Sequence, residues 1–242
     1  MLKQIPGKIY LSDQRGRTVT EQFIRYSTFN FEDFYNPDKG PLGCLQVFNE
    51  EVLAGSKSLE YTVEQASYII LIPITGTLRV ILPFENRIYI DVEEILVISM
   101  PAGSTFQVVN PYQNEEIDFL QVRIKAKQPF RNIATQCFRF DAGALQNHLL
   151  EIISDEKVDD EIKKLPFVLS LGRFDGRQEA NYSLINIDSH FFAFVMAGAF
   201  EMEGRLLHAK DSLALWDTKA VELEALSENA LVLILELEHQ GN

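Results

Sequence analysis

The chain has 242 residues, 46% of them hydrophobic, 11% aromatic and 24% charged, which is the composition of a folded globular protein and excludes collagenous, disordered and disulfide-stapled classes. Its 22 basic and 35 acidic residues leave a net charge of −13, a balance that opposes any general attraction to phosphate backbones or anionic lipid. Neither a nucleic acid nor a membrane is an expected partner. Met1–Tyr10 lacks the apolar stretch and cleavage site of a signal peptide, and the longest apolar runs, Tyr68–Ile74 and Ala230–Leu235, are too short to span a bilayer. With Cys44 and Cys137 as the only cysteines, expected reduced and buried, the cytoplasm is the expected compartment.

From Gly43 onward the chain reads as short strands: Cys44–Phe48, Tyr68–Ile72, Thr77–Leu82, Arg87–Asp91, Leu96–Ser99, Thr105–Asn110 and Phe119–Ala126. They are rich in Val, Ile, Leu, Phe and Tyr and are broken by Gly76, by Pro83–Asn86 and by Pro101-Ala102-Gly103. Residues 127–179 are more polar, and Asp159–Lys164, acidic first and basic last, fits either a short connecting helix or a solvated charged loop. A second strand-rich block follows: Asn181–Ile187, Phe191–Met196, Ala199–Glu203, Ser212–Trp216, Ala220–Ala225 and Ala230–Glu236. The blocks share an order, Ile69…Gly76-Thr77-Leu78-Arg79-Val80 in one and Phe191…Gly198-Ala199-Phe200-Glu201-Met202 in the other, which predicts two similar barrels. The expected division is 1–126 for an N-terminal barrel with its arm, 127–179 for a connector and 180–242 for a C-terminal barrel. The fold class is therefore all-β, two tandem antiparallel barrels with a short, partly helical connector.

Residues 27–35, Ser-Thr-Phe-Asn-Phe-Glu-Asp-Phe-Tyr, and 43–55, Gly-Cys-Leu-Gln-Val-Phe-Asn-Glu-Glu-Val-Leu-Ala-Gly, resemble the pirin family. That family opens with Thr-Phe-Ser-Phe-x-x-Tyr and continues with Gly-x-Leu-x-Val-x-Asn-Glu-Asp. Ser99-Met100-Pro101-Ala102-Gly103 and Phe119-Leu120-Gln121-Val122-Arg123-Ile124 are similar to its Met-Ser-Ala-Gly turn and Leu-Gln-Ile-Trp-Ile strand, and Ile185–Asp188 and Met202–Asp211 resemble its C-terminal half. The resemblance implies a bicupin, two cupin-type barrels in tandem, the first holding one metal ion in metal-binding members. Some members of the family show quercetin dioxygenase activity, whereas others act as nuclear or metabolic regulators.

Metal-binding members carry His-x-His after the Asn-Glu-Asp run, then His and a Glu two residues later after the Ala-Gly turn. Counting from Gly76 and from Ala102-Gly103, these positions fall on Thr62 and Glu64 and on Val108 and Asn110, give or take a residue. None is a histidine, and iron, copper or nickel needs several strong donors converging on one point. His148, His190, His208 and His239 all lie outside the first block. No metal or other cofactor is therefore expected. If Thr62 and Glu64 face the barrel interior, alternation carries Glu60 inward as well and Tyr61 outward. Glu60, Thr62, Glu64, Val108 and Asn110 are the candidate lining of a ligand pocket, with solvated rim acids as the simpler account of the glutamates. No catalytic residue is expected, since nucleophile motifs and phosphate loops are absent. The expected function is a metal-free module that binds a small molecule or a partner protein. The alternative is an enzyme of altered chemistry, with Glu64 as general base or with a non-standard metal site supporting quercetinase-like oxidation. Oligomeric state stays open.

Overall fold

The computed structural model describes residues 4–154 and 165–238. Strand β1 (Gly7–Tyr10) opens the chain. One compact unit, Arg15–Arg139, follows. It contains β2 (Gly16–Val19), β3 (Phe23–Ser27), β4 (Leu45–Leu53), β5 (Ser58–Val63), β6 (Ser67–Thr75), β7 (Leu78–Leu82), β8 (Asn86–Ile90), β9 (Glu94–Met100), β10 (Ser104–Val109), β11 (Ile117–Lys125) and β12 (Ala134–Arg139). The other unit joins the chain up to Gln14 to everything from Phe140 onward. It contains β1 together with β13 (His148–Ile153), β14 (Phe167–Phe174), β15 (Glu179–Ser183), β16 (His190–Ala197), β17 (Ala199–Met202), β18 (Arg205–His208), β19 (Ser212–Leu215), β20 (Ala220–Ala225) and β21 (Ala230–Leu237).

Each unit is two antiparallel sheets closed around an apolar core. In the first, a seven-stranded sheet β12-β9-β6-β11-β4-β3-β2 faces a four-stranded sheet β5-β10-β7-β8; in the second, β1-β19-β16-β21-β14-β13 faces β15-β20-β17-β18. Adding ten to each label from β4 to β11 converts one pairing order into the other, so the duplication predicted from the two glycine turns is real at the level of topology. Gly76 and Gly198 close the equivalent hairpins with φ of 71° and 76°, a region open to glycine without a Cβ clash. The central strands β6 and β21 are buried on both faces and read as continuous apolar runs, whereas β5, a strand of the smaller sheet, alternates exposed and buried. Leu59, Tyr61, Val63, Ile69, Leu96, Phe106 and Phe119 are among the residues of the first core, and Phe174, Phe191, Phe200, Leu213 and Ile234 among those of the second.

Three expectations need correction. The arm does not belong with the first barrel: β1 pairs with β19, Gly7 opposite Leu215 and Tyr10 opposite Ser212, and the Ser12 amide donates to Asp211 Oδ1 at 2.7 Å. The stretch 127–179 is more than a connector. It supplies β12 to the first barrel and β13, β14 and the start of β15 to the second, with Ala142–Leu145 as a single 3₁₀ turn. Gly172 lies inside the continuous strand Phe167–Phe174, where a Cβ would lie 2.6 Å from the Phe174 ring, so the glycine answers a close approach. Cys44 is buried as expected, but Cys137 is exposed on the edge strand β12. The segment Asp159–Lys164 lies outside the described residues. No described helix is long and apolar enough to cross a membrane.

Candidate functional site

Alternation along four strands brings polar side chains together inside the first barrel. On β3 the inward series is Phe23, Arg25, Ser27; on β4 it is Asn49, Glu51, Leu53; on β11 it is Phe119, Gln121, Arg123; on β5 it is Leu59, Tyr61, Val63. Pairing registers set Arg25 opposite Glu51 and Gln121 opposite Asn49. The lower part of each series enters the apolar core, and the upper part forms a connected polar layer.

Glu51, 0% exposed, is the hub. Its Oε1 is 3.1 Å from Arg25 Nε, and its Oε2 accepts from Arg25 Nη2 at 3.3 Å and from the Tyr61 hydroxyl at 2.5 Å. The Gln121 amide nitrogen donates to Glu51 Oε1 at 3.2 Å, and its oxygen accepts from Arg123 Nε at 3.2 Å and Nη2 at 2.9 Å. Arg123 Nη1 donates to the Thr62 carbonyl at 3.0 Å, and Arg25 Nη1 donates to Glu32 Oε2 at 2.5 Å. Both guanidiniums are flanked by rings. Arg25 is 4.7 Å from the Phe31 centroid and 5.7 Å from that of Tyr61, and Arg123 is 5.4 and 5.5 Å from the same two.

Burial governs the electrostatics. It raises the Glu51 carboxyl above its ordinary range against the opposing pull of Arg25 and the Tyr61 hydroxyl. It raises the Tyr61 phenol well above its usual value, and the Glu51 charge raises it further. Burial lowers Arg123, while in Arg25 the same effect is outweighed by Glu51, Tyr61 and Glu32, which raise it. The Tyr61 phenol therefore keeps its proton and donates a hydrogen bond to the Glu51 carboxyl. Above the layer opens a cleft of about 510 Å³ lined by Phe31, Glu32, Tyr61, Thr62, Glu64 and Arg123 among others.

The expected pocket residues divide across this picture. Thr62, Glu64 and Glu60 do line the cleft, yet they are exposed on its rim rather than inside the barrel, and Glu60 accepts from Gln107 Nε2 at 2.9 Å. The expected facing of β5 is reversed: Tyr61, 2% exposed, points inward with Leu59 and Val63. The reason is in the segment itself, Leu59-Glu60-Tyr61-Thr62-Val63-Glu64, whose apolar members occupy every second place. Counting back from Gly76 was one residue out of phase. Val108, 0% exposed, does face inward but only as hydrocarbon core. Asn110, 1% exposed, shapes a loop: its Nδ2 donates to the Leu53 and Glu115 carbonyls at 2.9 and 2.8 Å, and its Oδ1 accepts from the Tyr112 amide at 2.9 Å. Arg25, Glu51, Gln121 and Arg123 were not singled out from sequence. Charged residues at inward phase in otherwise apolar strands were the available signal.

The structure also tests whether a metal fits. The inward positions around the expected ligand places are Tyr61, Val63, Phe106 and Val108, and Tyr61 stacks on Phe106 with centroids 4.9 Å apart. They offer one phenol, already committed to Glu51, and three hydrocarbon side chains. Among the described residues no three of His, Cys, Asp and Glu converge as metal donors. His148 and His208 are exposed and His190 is half-buried, far from that constellation in chain order, and His239 lies outside the described residues. The donor set does not fit a divalent transition metal.

The second barrel repeats the tyrosine and changes its partner. Tyr182 occupies the place of Tyr61, and Glu236 that of Arg123: Arg123 pairs with Ile69 and Glu236 with Phe191, residues equally far ahead of Gly76 and Gly198. The Tyr182 hydroxyl donates to Glu236 Oε2 at 3.1 Å, and burial followed by that charge raises its pKa. Glu236 Oε1 also accepts the backbone amides of Ile185 and Asn186 at 2.9 and 3.3 Å. Glu236 thus draws a loop across its own barrel, and the adjoining cavity shrinks to about 120 Å³. The roomier mouth is that of the first barrel.

Two cupin-type barrels in tandem, one with an open polar mouth, define a bicupin. Residues 166–237 match the family model described as the quercetinase C-terminal cupin domain. A protein of Escherichia coli (strain K12) named quercetin 2,3-dioxygenase is 22% identical over 93% of this chain and 97% of its own. Among solved structures, bacterial pirin YhhW from Escherichia coli in complex with nickel(II) superposes with a TM-score of 0.83 at 18% identity, covering 96% of this chain and 99% of that one. Quercetin 2,3-dioxygenase from Acinetobacter baumannii does so with a TM-score of 0.75 at 14% identity, covering 99% and 88%. The chain has the fold of a pirin-like bicupin.

Proposed function

We propose that the first barrel is a receptor for a small molecule, that it works without a metal, and that the oxidoreductase chemistry named for its relatives is lost. The observation that carries this reading is the buried Arg25–Glu51–Tyr61 network with Arg123, which occupies the layer beneath the cleft with its own hydrogen bonds where a metal would need free donors. Binding needs only a cavity and a few placed polar groups, so it survives the loss of metal ligands. The protein acts in the cytoplasm, as a sensor or regulatory module whose acidic surface disfavours nucleic acid and membrane partners. The rim glutamate Glu64 is exposed, which removes the support for a buried general base.

The test is elemental analysis of tag-free protein, followed by a thermal-shift screen of flavonols and aromatic acids. Substoichiometric iron, nickel, copper, manganese and zinc are expected, together with a saturable rise in Tm for at least one compound; a ligand at 100 times its Kd adds about 2.7 kcal/mol. Stoichiometric metal would overturn the reading. The names of the relatives favour a second one, a quercetinase-like oxidoreductase, whose signature is quercetin-dependent oxygen consumption by the purified chain.

A further inference from the structure

Resting on the receptor reading, we infer that the first barrel's ligand is a small carboxylate with a flat aromatic body, and that Glu32 is a built-in stand-in for it. Two guanidiniums, that of buried Arg25 and that of half-buried Arg123, face one buried carboxylate, Glu51. The layer is balanced only because Glu32 reaches in from outside. Its side chain is 55% exposed, yet its Oε2 accepts from Nη1 of Arg25, whose own side chain is 3% exposed. Glu32, which lines the cleft, therefore seats a half-exposed carboxylate on a desolvated cation behind it, the contact an external carboxylate would make in its place.

The turn that places Glu32 is held in a conformation few side chains adopt. Glu32 has φ of 48°, inside a tight turn closed by reciprocal backbone hydrogen bonds between Phe31 and Phe34 at 3.1 and 3.0 Å. The same turn carries Phe31, whose ring covers both guanidiniums. Arg123 spends its Nε, Nη2 and Nη1 on Gln121 and Thr62 through three of the five N–H donors of a guanidinium, leaving two for an incoming acceptor. A carboxylate bound to Arg25 in place of Glu32 would present its flat body to the faces of Phe31 and Tyr61. Glu60 and Glu64 on the rim repel an anion weakly, because they are exposed and screened by salt, whereas the guanidiniums act from the protein interior.

The mouth is therefore open to ligand only in the fraction of molecules whose Glu32 has left Arg25, and that fraction lowers the apparent affinity. The experiment is isothermal titration calorimetry of the full chain with sodium benzoate and with neutral benzamide at equal ionic strength. The native chain is compared with Glu32→Ala and Glu32→Gln. Expected is benzoate binding about tenfold tighter to Glu32→Ala than to the native chain, with Glu32→Gln between them and benzamide unchanged. Benzoate affinities equal within about twofold, or an equal gain for benzamide, overturn the carboxylate assignment and leave the receptor reading standing. No saturable heat from either compound with any of the three chains, and no stabilising compound in the thermal-shift screen, overturn both.

Discussion

Replacing Arg25 with Ala is the sharpest probe of the buried network. It removes both nitrogens that hold Glu51 and leaves that carboxylate enclosed, since it is reached by no solvent. Deleting one partner of a buried ion pair costs about 3–5 kcal/mol, chiefly because the remaining charge stays desolvated. Tyr61 still donates to Glu51 and Gln121 still links it to Arg123, which places the expected loss near the lower end, at about 3 kcal/mol. The loss should depend on pH. Burial already holds the Glu51 carboxyl above its unfolded value, and without Arg25 it rises further. A raised folded value means that the folded state keeps a proton the unfolded chain releases, so stability is fullest below the unfolded carboxylate range and falls as pH rises through the folded value. The deficit of Arg25→Ala against the native chain should then be smaller at about pH 5 than at about pH 8. Urea denaturation followed by circular dichroism measures it, and hydrogen exchange across Leu45–Leu53 assigns it to the first barrel. The paired change Arg25→Met with Glu51→Leu, which removes both charges, should recover stability to within about 1 kcal/mol of the native chain. A loss below about 1 kcal/mol, or one equal at both pH values, would refute the argument that Glu51 is a charge held by its partners.

Phe106→Ala removes a buried ring stacked on Tyr61 and should cost about 3–5 kcal/mol in chemical denaturation; a cost near 1 kcal/mol would mean that the inner layer can collapse around the gap. Asn110→Ala strands two carbonyls and an amide at the β10–β11 loop, and a loss of about 2–3 kcal/mol is expected, with faster exchange of the Tyr112 amide. Thr62→Ala, on the outward phase of β5, and Glu64→Ala, at the exposed bend just after it, should each move Tm by less than about 2 °C, and a larger fall would show that the inward phase has been misplaced. Gly198→Ala forces a left-handed residue to point its Cβ at Ser227 Oγ, 2.4 Å away, and should lower Tm where Gly204→Ala, with nothing near its Cβ, lowers it less.

The duplication was legible because the Gly76 and Gly198 hairpins repeat one order of apolar and alternating strands, a local pattern that survives divergence. The strands β6, β7, β9, β10, β16, β17 and β21 followed from it, within a few residues at their ends. What stayed hidden was nonlocal or sat in segments of mixed character. Phe167–Phe174, buried at every place but one, was absorbed into a polar neighbourhood. The address of β1 could not be read at all, since its partner β19 is on the far side of the sequence and nothing in Gly-Lys-Ile-Tyr names it. At the site, the barrel and the strands β4 and β11 were legible, whereas β3 and β5 were not among the strands read and the phase of β5 was misplaced. One residue of slip on β5 exchanged Tyr61 for Thr62, and with it a buried network for a rim. Arg25, Glu51 and Arg123 escaped notice because charged residues in strands are ordinarily read as outward, and only the pairing register shows that these three converge.

The placement of β1 sets a schedule for the ribosome. The strand emerges well before its partner: the edge it completes on β19 is made about 200 residues later, a wait of about 10–40 s at ordinary elongation rates. During that interval Arg15–Arg139 has its whole sequence available and can fold as a continuous unit before β19 exists. The β19 edge of the second barrel thus depends on a segment made long before it, so a bulky insertion next to β1 would burden the second barrel before the one that β1 adjoins in sequence.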